Sequence, residues 1–284
     1  MPDHVKIFEV GPRDGLQNQK RIISTQDKIK LVDMLSDCGL THIETTSFVS
    51  PKWVPQMADA AEVMAGISRK TGTIYTALTP NLRGYEAAID AGVDEVAIFG
   101  SASEGFSQKN INCSIEESFS RFLPVMARAK IDKCNVRGYI SCITDCPYDG
   151  QIAPDQVVRV ALRLLEMGCH EISLGDTIGA ATPEKTHTLI SSMLNYLPVD
   201  VLGGHFHDTN NRALENIQVC LEAGIRTFDS AVGGLGGCPY AKGAKGNVDT
   251  VAVAKMLHEM KFETGLDMNK LEKASEFALS LSEN

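Results

Sequence analysis

One phrase recurs along the chain: a helical pattern, a glycine, then a short run rich in β-branched residues. It reads Cys38-Gly39-Leu40-Thr41-His42-Ile43-Glu44, then Ala91-Gly92-Val93-Asp94-Glu95-Val96-Ala97. It returns as Met167-Gly168-Cys169-His170-Glu171-Ile172-Ser173 and as Ala223-Gly224-Ile225-Arg226-Thr227-Phe228-Asp229. Glycine just beyond a helix takes the left-handed conformation that closes the last turn. The apolar run after it suits a strand buried in a parallel sheet. Helices and strands alternating in this way define an α/β fold, and a long series of such units closes into a barrel.

The strand candidates are Val5–Val10, His42–Thr46, Ile74–Leu78, Glu95–Gly100, Val136–Ser141, Glu171–Gly175, Val201–His207 and Thr227–Ala231. Helical patterns fit between them near Thr25–Cys38, Asp59–Ile67, Leu82–Ala91, Ile115–Ala129, Pro154–Met167, Pro183–Tyr196 and Ala213–Ala223, with an eighth at Thr250–Met260. Ser24-Thr25 and the first-turn prolines Pro154 and Pro183 are start signals. Leu266–Leu281 reads as an extra C-terminal helix. No linker breaks the pattern, so residues 1–284 are expected to form a single (β/α)8 TIM barrel. A doubly wound open sheet would need a phosphate-binding fingerprint, and Gly11-Pro12-Arg13-Asp14-Gly15 is neither a dinucleotide motif nor a Walker loop.

A formal charge of −9 argues against a nucleic-acid surface, which needs clustered cations. No run approaches the roughly 20 apolar residues of a membrane span. The polar Met1–His4 start is not a signal peptide, so a cytoplasmic location is expected, with the eight cysteines reduced.

In such a barrel the C-terminal strand ends converge on one mouth, where active sites sit. The seventh strand ends in His205-Phe206-His207-Asp208-Thr209. Alternation puts His205 and His207 on one face, roughly 6–7 Å apart along the strand. The first strand leads into Arg13-Asp14, and Asp14, His205 and His207 together make a two-histidine, one-carboxylate set. That set suits a divalent cation such as Mg²⁺ or Mn²⁺, with Zn²⁺ and Fe²⁺ as alternatives. Asn247 can add an amide oxygen. The plain alternative for Asp14 is a turn residue before Gly15. Arg13 is suited to steady an oxyanion, or to pair with Glu44 or Asp176, which end the second and sixth strands. Those two carboxylates either orient Arg13 and a histidine or brace the mouth. Cys238, in a glycine-rich segment after the eighth strand, is a proton donor or acceptor, or a buried thiol. Lys109 and Asn110 fall on a long loop after the fourth strand and are candidates for an anionic substrate tail. Trp53, Val54 and Met57 pack against the barrel or against a subunit.

The assembled pieces resemble the 3-hydroxy-3-methylglutaryl-CoA lyase family over nearly the whole length. The resemblance is carried by Val10-Gly11-Pro12-Arg13-Asp14-Gly15-Leu16-Gln17-Asn18, by the segment from Glu44 to Met57, by Lys109-Asn110-Ile111-Asn112-Cys113-Ser114, and by Gly234-Leu235-Gly236-Gly237-Cys238-Pro239-Tyr240-Ala241. It implies a metal-dependent carbon–carbon lyase that splits 3-hydroxy-3-methylglutaryl-CoA into acetyl-CoA and acetoacetate. It further implies cation ligands at Asp14, His205, His207 and Asn247, a catalytic arginine at Arg13 and a loop cysteine at Cys238. Glu44 and Asp176 match site carboxylates, His205 or a group acting through it matches the base, and Gln17 matches a glutamine beside the acyl group. An acyl-CoA is the implied partner, with no nucleic acid or membrane, and a homodimer stays open. The family continues His-Asp-Thr with Tyr-Gly, whereas Asn210-Asn211 follow here. The C-terminal cysteine of animal members is missing, so a thiol crosslink there is not expected.

Other readings share these residues. A related lyase or Claisen-type synthase on another acyl-CoA or 2-oxo acid uses the same ligands. A non-haem Fe(II) oxygenase also takes two histidines and a carboxylate. A zinc hydrolase barrel places its His-x-His on an early strand by analogy. A metal-stabilised binding protein without catalysis remains a further reading.

Overall fold

The computed structural model describes residues 3–237 and 246–282. In chain order the strands are β1 (Lys6–Glu9), β2 (His42–Ser47), β3 (Ile74–Leu78), β4 (Glu95–Ser101), β5 (Asn135–Ser141), β6 (Asp145–Cys146), β7 (Gly150–Gln151), β8 (Glu171–Asp176), β9 (Leu202–Phe206) and β10 (Thr227–Ser230). Eight of them close a parallel barrel, in the order β1-β2-β3-β4-β5-β8-β9-β10 and back to β1. Closure is made by the register Lys6↔Thr227 through Glu9↔Ser230. These are the eight strands expected from the sequence, displaced by two residues or fewer at any end.

The helices are α1 (Thr25–Asp37), α2 (Ala60–Gly66), α3 (Leu82–Asp90), α4 (Glu104–Ile111), α5 (Ile115–Asp132), α6 (Pro154–Met167), α7 (Pro183–Leu194), α8 (Ala213–Glu222), α9 (Thr250–Glu259) and α10 (Met268–Ser282). Their ends follow local chemistry. Ser24 accepts the Asp27 N–H ahead of α1, and Ser114 and Glu117 form a reciprocal capping box ahead of α5. The recurring glycines do what their positions predict: Gly39, Gly92, Gly168 and Gly224 all have positive φ, between 78° and 114°. The extra helix α10 packs on α1, where the Lys30 ammonium lies 4.1 Å from the Phe277 ring centroid.

Two features depart from the sequence reading. Asp145–Cys146 and Gly150–Gln151 pair as a short antiparallel hairpin beyond β5. The segment expected as a long loop after the fourth strand, with Lys109 and Asn110, is the helix α4. Ser103 caps its start by accepting the Phe106 N–H, and Asn112 ends it at φ 51°. One polar turn after another gives no apolar stripe to read, so capping alone marks this helix. In the Trp53 segment, Met57 is buried and Trp53 is 80% exposed.

The outer layer between strands and helices is mostly apolar, with buried hydrogen-bonded exceptions such as Thr250 to Glu9 and Thr186 to Asn216, whereas the barrel interior is ionic. Arg137 on β5 is fully buried and pairs through Nε with Glu171 at 2.7 Å. Lys6 reaches the other Glu171 oxygen at 2.8 Å. Burial alone would raise the Glu171 carboxyl, but Arg137 and Lys6 outweigh it and hold it down at about 2. Breaking such a buried pair is costly because it strands a charge away from water.

Two outcomes follow for stability. Gly39→Ala meets both a positive φ and the Gly265 carbonyl oxygen, 2.7 Å from the added Cβ, whereas Gly72→Ala meets only the φ, with open space around it. Urea denaturation should show Gly72→Ala costing about 1 kcal/mol and Gly39→Ala about 2–4 kcal/mol. For Glu171 the folded carboxyl titrates below its unfolded value. Its contribution is therefore complete above about pH 4.5 and lost as pH falls toward 2. Acid unfolding of Glu171→Gln should lack a slope worth about 3 kcal/mol across that window.

Candidate metal centre and active site

Three chain segments meet at the C-terminal mouth. The first is the tight helical turn Gly11–Gly15 that follows β1 and aims Arg13 and Asp14 inward. The second is the end of β9, where His205 and His207 leave on one face with ring centroids 5.4 Å apart. The third is the strand-like stretch around Asn247, joined to His207 as an antiparallel bridge. Backbone bonds stitch that stretch down: Asp208 N–H to the Gly246 carbonyl and Val248 N–H to the Phe206 carbonyl, both at 3.0 Å.

Asp14, His205 and His207 each offer a ligand atom, and the three atoms lie within 4.8 Å of one another. Asn247 joins them, its Nδ2 donating to Asp14 Oδ2 at 2.7 Å. Among the described residues, His207 Nδ1 and Asn247 Oδ1 are buried and make no hydrogen bond of ordinary distance and angle. An amide oxygen without a donor, beside a carboxylate and two imidazoles, is a lone pair that a cation would satisfy. This donor set of one carboxylate, two imidazoles and an amide fits a divalent cation.

Charge is arranged to match. Burial favours a neutral Asp14, but Arg13 first, then His205 and His207, hold its carboxyl below the usual range. His207 is pushed down to about 4 by burial and by the neighbouring His205, which keeps it neutral, the form that ligates. Arg13 is buried, its Nε on Glu44 Oε2 and its Nη1 on Asp14 Oδ1, both at 2.6 Å. Tyr139 supports the cluster from β5, with the Arg13 guanidinium 5.6 Å from its ring and His205 edge-on at 6.1 Å.

Of the residues singled out in the sequence, Arg13, Asp14, Glu44, His205, His207 and Asn247 come together here, and Gln17 reaches Asp14 Oδ1 at 3.3 Å. Between its two suggested partners Arg13 takes Glu44. Asp176 instead accepts the Ala180 and Ala181 N–H groups, each at 3.0 Å, and burial pushes its carboxyl up to about 6. Lys109 and Asn110 occupy the last turns of α4. Cys238 lies outside the described residues. Asn211 sits at φ 55°, a left-handed position that asparagine tolerates, and Asn210 Nδ2 donates to the Gly179 carbonyl at 2.7 Å. The unusual Asn-Asn pair thus keeps the loop closed over its neighbour.

Sequence reasoning missed Arg137, Tyr139 and Asp229. Arg137 and Tyr139 stand among the apolar positions of one strand, and that contrast was an available signal; Asp229 lies in the mostly polar strand Thr227–Ser230, which offers no such contrast. Register settles the rest, since Asp229 stands directly beside His205.

Fold and donor set define a cation-binding (β/α)8 barrel with an arginine at the ligand carboxylate. Comparison with known proteins narrows the class. The HMGL-like family model matches residues 4–278, and the chain belongs to that family; curated relatives that it matches over nearly its whole length are named as lyases. It is 56% identical over 271 residues to a 3-hydroxy-3-isohexenylglutaryl-CoA/hydroxy-methylglutaryl-CoA lyase of Pseudomonas aeruginosa, covering 95% of this chain and 90% of that one. The crystal structure of the HMG-CoA lyase from Brucella melitensis superposes with a TM-score of 0.98 at 57% identity, covering 99% of this chain and 100% of the other. An HMG-CoA lyase from A. baumannii, solved in complex with coenzyme A and 3-methylmalate, gives 0.94 at 36% identity, covering 99% and 92%. No helix among the described residues is long and apolar enough to cross a membrane.

A cation bound to the folded chain alone must stabilise it. Mn²⁺ at about 100 times its dissociation constant should raise the unfolding free energy by about 2.7 kcal/mol. Thermal denaturation of chelator-treated protein with and without Mn²⁺ measures this, and Asp14→Asn should abolish the rise.

Proposed function

We propose that this chain cleaves 3-hydroxy-3-methylglutaryl-CoA to acetyl-CoA and acetoacetate, with a divalent cation held by Asp14, His205, His207 and Asn247. The observation that carries the reading is a buried arginine touching a ligand carboxylate beside two imidazoles, in a chain 56% identical to a lyase named for this substrate. The same reading takes Mg²⁺ or Mn²⁺ as the cation and a cytoplasmic location.

The reaction removes the proton of the tertiary hydroxyl and breaks the bond between that carbon and the methylene next to the thioester. The hydroxyl carbon becomes the ketone of acetoacetate. The released electron pair forms the enolate of acetyl-CoA, which then takes a proton on carbon. A bound divalent cation supplies Lewis acidity that lowers the hydroxyl pKa. Arg13 presents a fixed guanidinium edge to the enolate oxygen, its geometry set by Glu44. The proton from the hydroxyl passes to a base in the His205 region, with Asp176 as a nearby carboxylate. Cys238 delivers the proton to the enolate carbon. Gln17 steadies the acyl group, and Lys109 and Asn110 meet the coenzyme A tail.

The name of the Pseudomonas relative couples two substrates that differ only in the substituent on the hydroxyl carbon. A panel of 3-hydroxyacyl-CoAs with methyl and longer substituents therefore decides the breadth of the site. Cleavage of 3-hydroxy-3-methylglutaryl-CoA should proceed anaerobically with Mg²⁺ or Mn²⁺ and stop with chelator; turnover that ignores chelator, or needs oxygen, would overturn the reading. Arg13→Gln should lower kcat by about 10²–10³ with a modest change in KM, as for an interaction formed mainly in the transition state. Steady-state kinetics against the methyl substrate measures this.

A further inference from the structure

Behind His205 lies a carboxylate that none of the steps above uses. Asp229 on β10 is fully buried, and its Oδ2 receives the His205 Nδ1 at 3.0 Å. A carboxylate so placed only accepts, so the hydrogen belongs to Nδ1 and the lone pair of the neutral ring to Nε2. Asp229 cannot swing away from this contact. Arg137 grips it with two donors, Nη1 to Oδ2 at 3.1 Å and Nη2 to Oδ1 at 2.8 Å, and the Ser173 hydroxyl donates to Oδ2 at 2.7 Å. The guanidinium has room to do so because residue 203 is glycine: a Cβ there would stand 3.0 Å from Arg137 Nη2. The Gly-Gly interruption before the histidines thus has a steric purpose at its first position. Arg137 Nη1 also donates to the Tyr139 hydroxyl at 3.1 Å, and the Tyr139 ring meets the His205 ring edge-on. One buried cation therefore braces both groups that fix the imidazole, one by hydrogen bond and one by ring contact.

We propose that Asp229 is a positioning residue of the cation site: clamped by Arg137 and Ser173, it holds His205 in the Nδ1–H tautomer and turns Nε2 toward Asp14 and His207. This inference rests on the cation reading above, and its test separates the two. Geometry alone carries it, since the four bonds to one carboxylate leave the ring a single orientation. Removing a partner that orients a ligating histidine lowers metal affinity about 10–100-fold in general.

The experiment is Mn²⁺ titration of the chelator-treated full chain, followed by the loss of the free-Mn²⁺ electron paramagnetic resonance signal. Asp229→Asn should bind Mn²⁺ about 10–100-fold more weakly than the unchanged chain. The double variant Arg137→Met with Asp229→Asn removes one positive and one negative charge and leaves Glu171 paired with Lys6; it should show the same loss with a native near-ultraviolet circular dichroism spectrum. In a His205→Gln background, Asp229→Asn should change the affinity less than about twofold, because the residue it acts through is gone. Unchanged Mn²⁺ affinity in either Asp229 variant, or a full tenfold further loss in the His205→Gln background, would overturn the assignment. If the unchanged chain takes up no Mn²⁺, the cation reading itself falls, and this inference falls with it.

Discussion

A charge inside a closed barrel is tolerable only where its counter-charge touches it. Taking an ion out of water costs several kcal/mol even after relaxation, and the attraction that offsets the cost acts at contact distance. The interior of this barrel obeys that rule in two tiers. In the lower tier Lys6, Glu171, Arg137 and Asp229 form a continuous chain of pairs. In the upper tier Arg13 sits between Glu44 and Asp14. His205 joins the tiers, bonded to Asp229 below and facing Asp14 above.

Some of the exceptions to complete pairing fall at the site. Among the described residues, His207 Nδ1, Asn247 Oδ1 and Glu44 Oε1 are three of eight buried side-chain atoms without a partner, and these three stand at the mouth. Buried polar atoms without partners cost free energy, and a ligand at the mouth would satisfy those that stand there. The lower tier is saturated, which fits its role as a rigid platform.

The chain delivers these ligands by three different local devices. His205 lies within a strand, where neighbours on both sides fix its backbone. Asp14 lies in a tight turn that opens directly from the first strand, with the Asp14 and Gly15 N–H groups both bonded to the Val10 carbonyl. Asn247 comes from a distant segment that is laid alongside β9 and β10 by backbone bonds. Sites built on regular elements are held more precisely than sites on free loops. Here even the turn and the returning segment are tied to strands.

Much of this was legible in the residues. The glycine-ended helices and the eight apolar runs follow from local rules, because a left-handed cap and a buried strand each demand particular side chains wherever they occur. The two histidines of β9 share a face by alternation alone, and the Arg13-Asp14 pair follows directly from the end of a strand. The helix α4 was not legible, since its polar turns carry no apolar stripe and its caps are a weaker signal. Neither was the choice of Glu44 over Asp176 as the partner of Arg13, nor the clamp on His205. Asp229 and Arg137 are separated from each other by 92 positions, and nothing local announces that they meet. Local chemistry thus set the elements and the kinds of ligand. Which charges touch was set by barrel closure, because register around the ring brings together residues that no short-range rule connects.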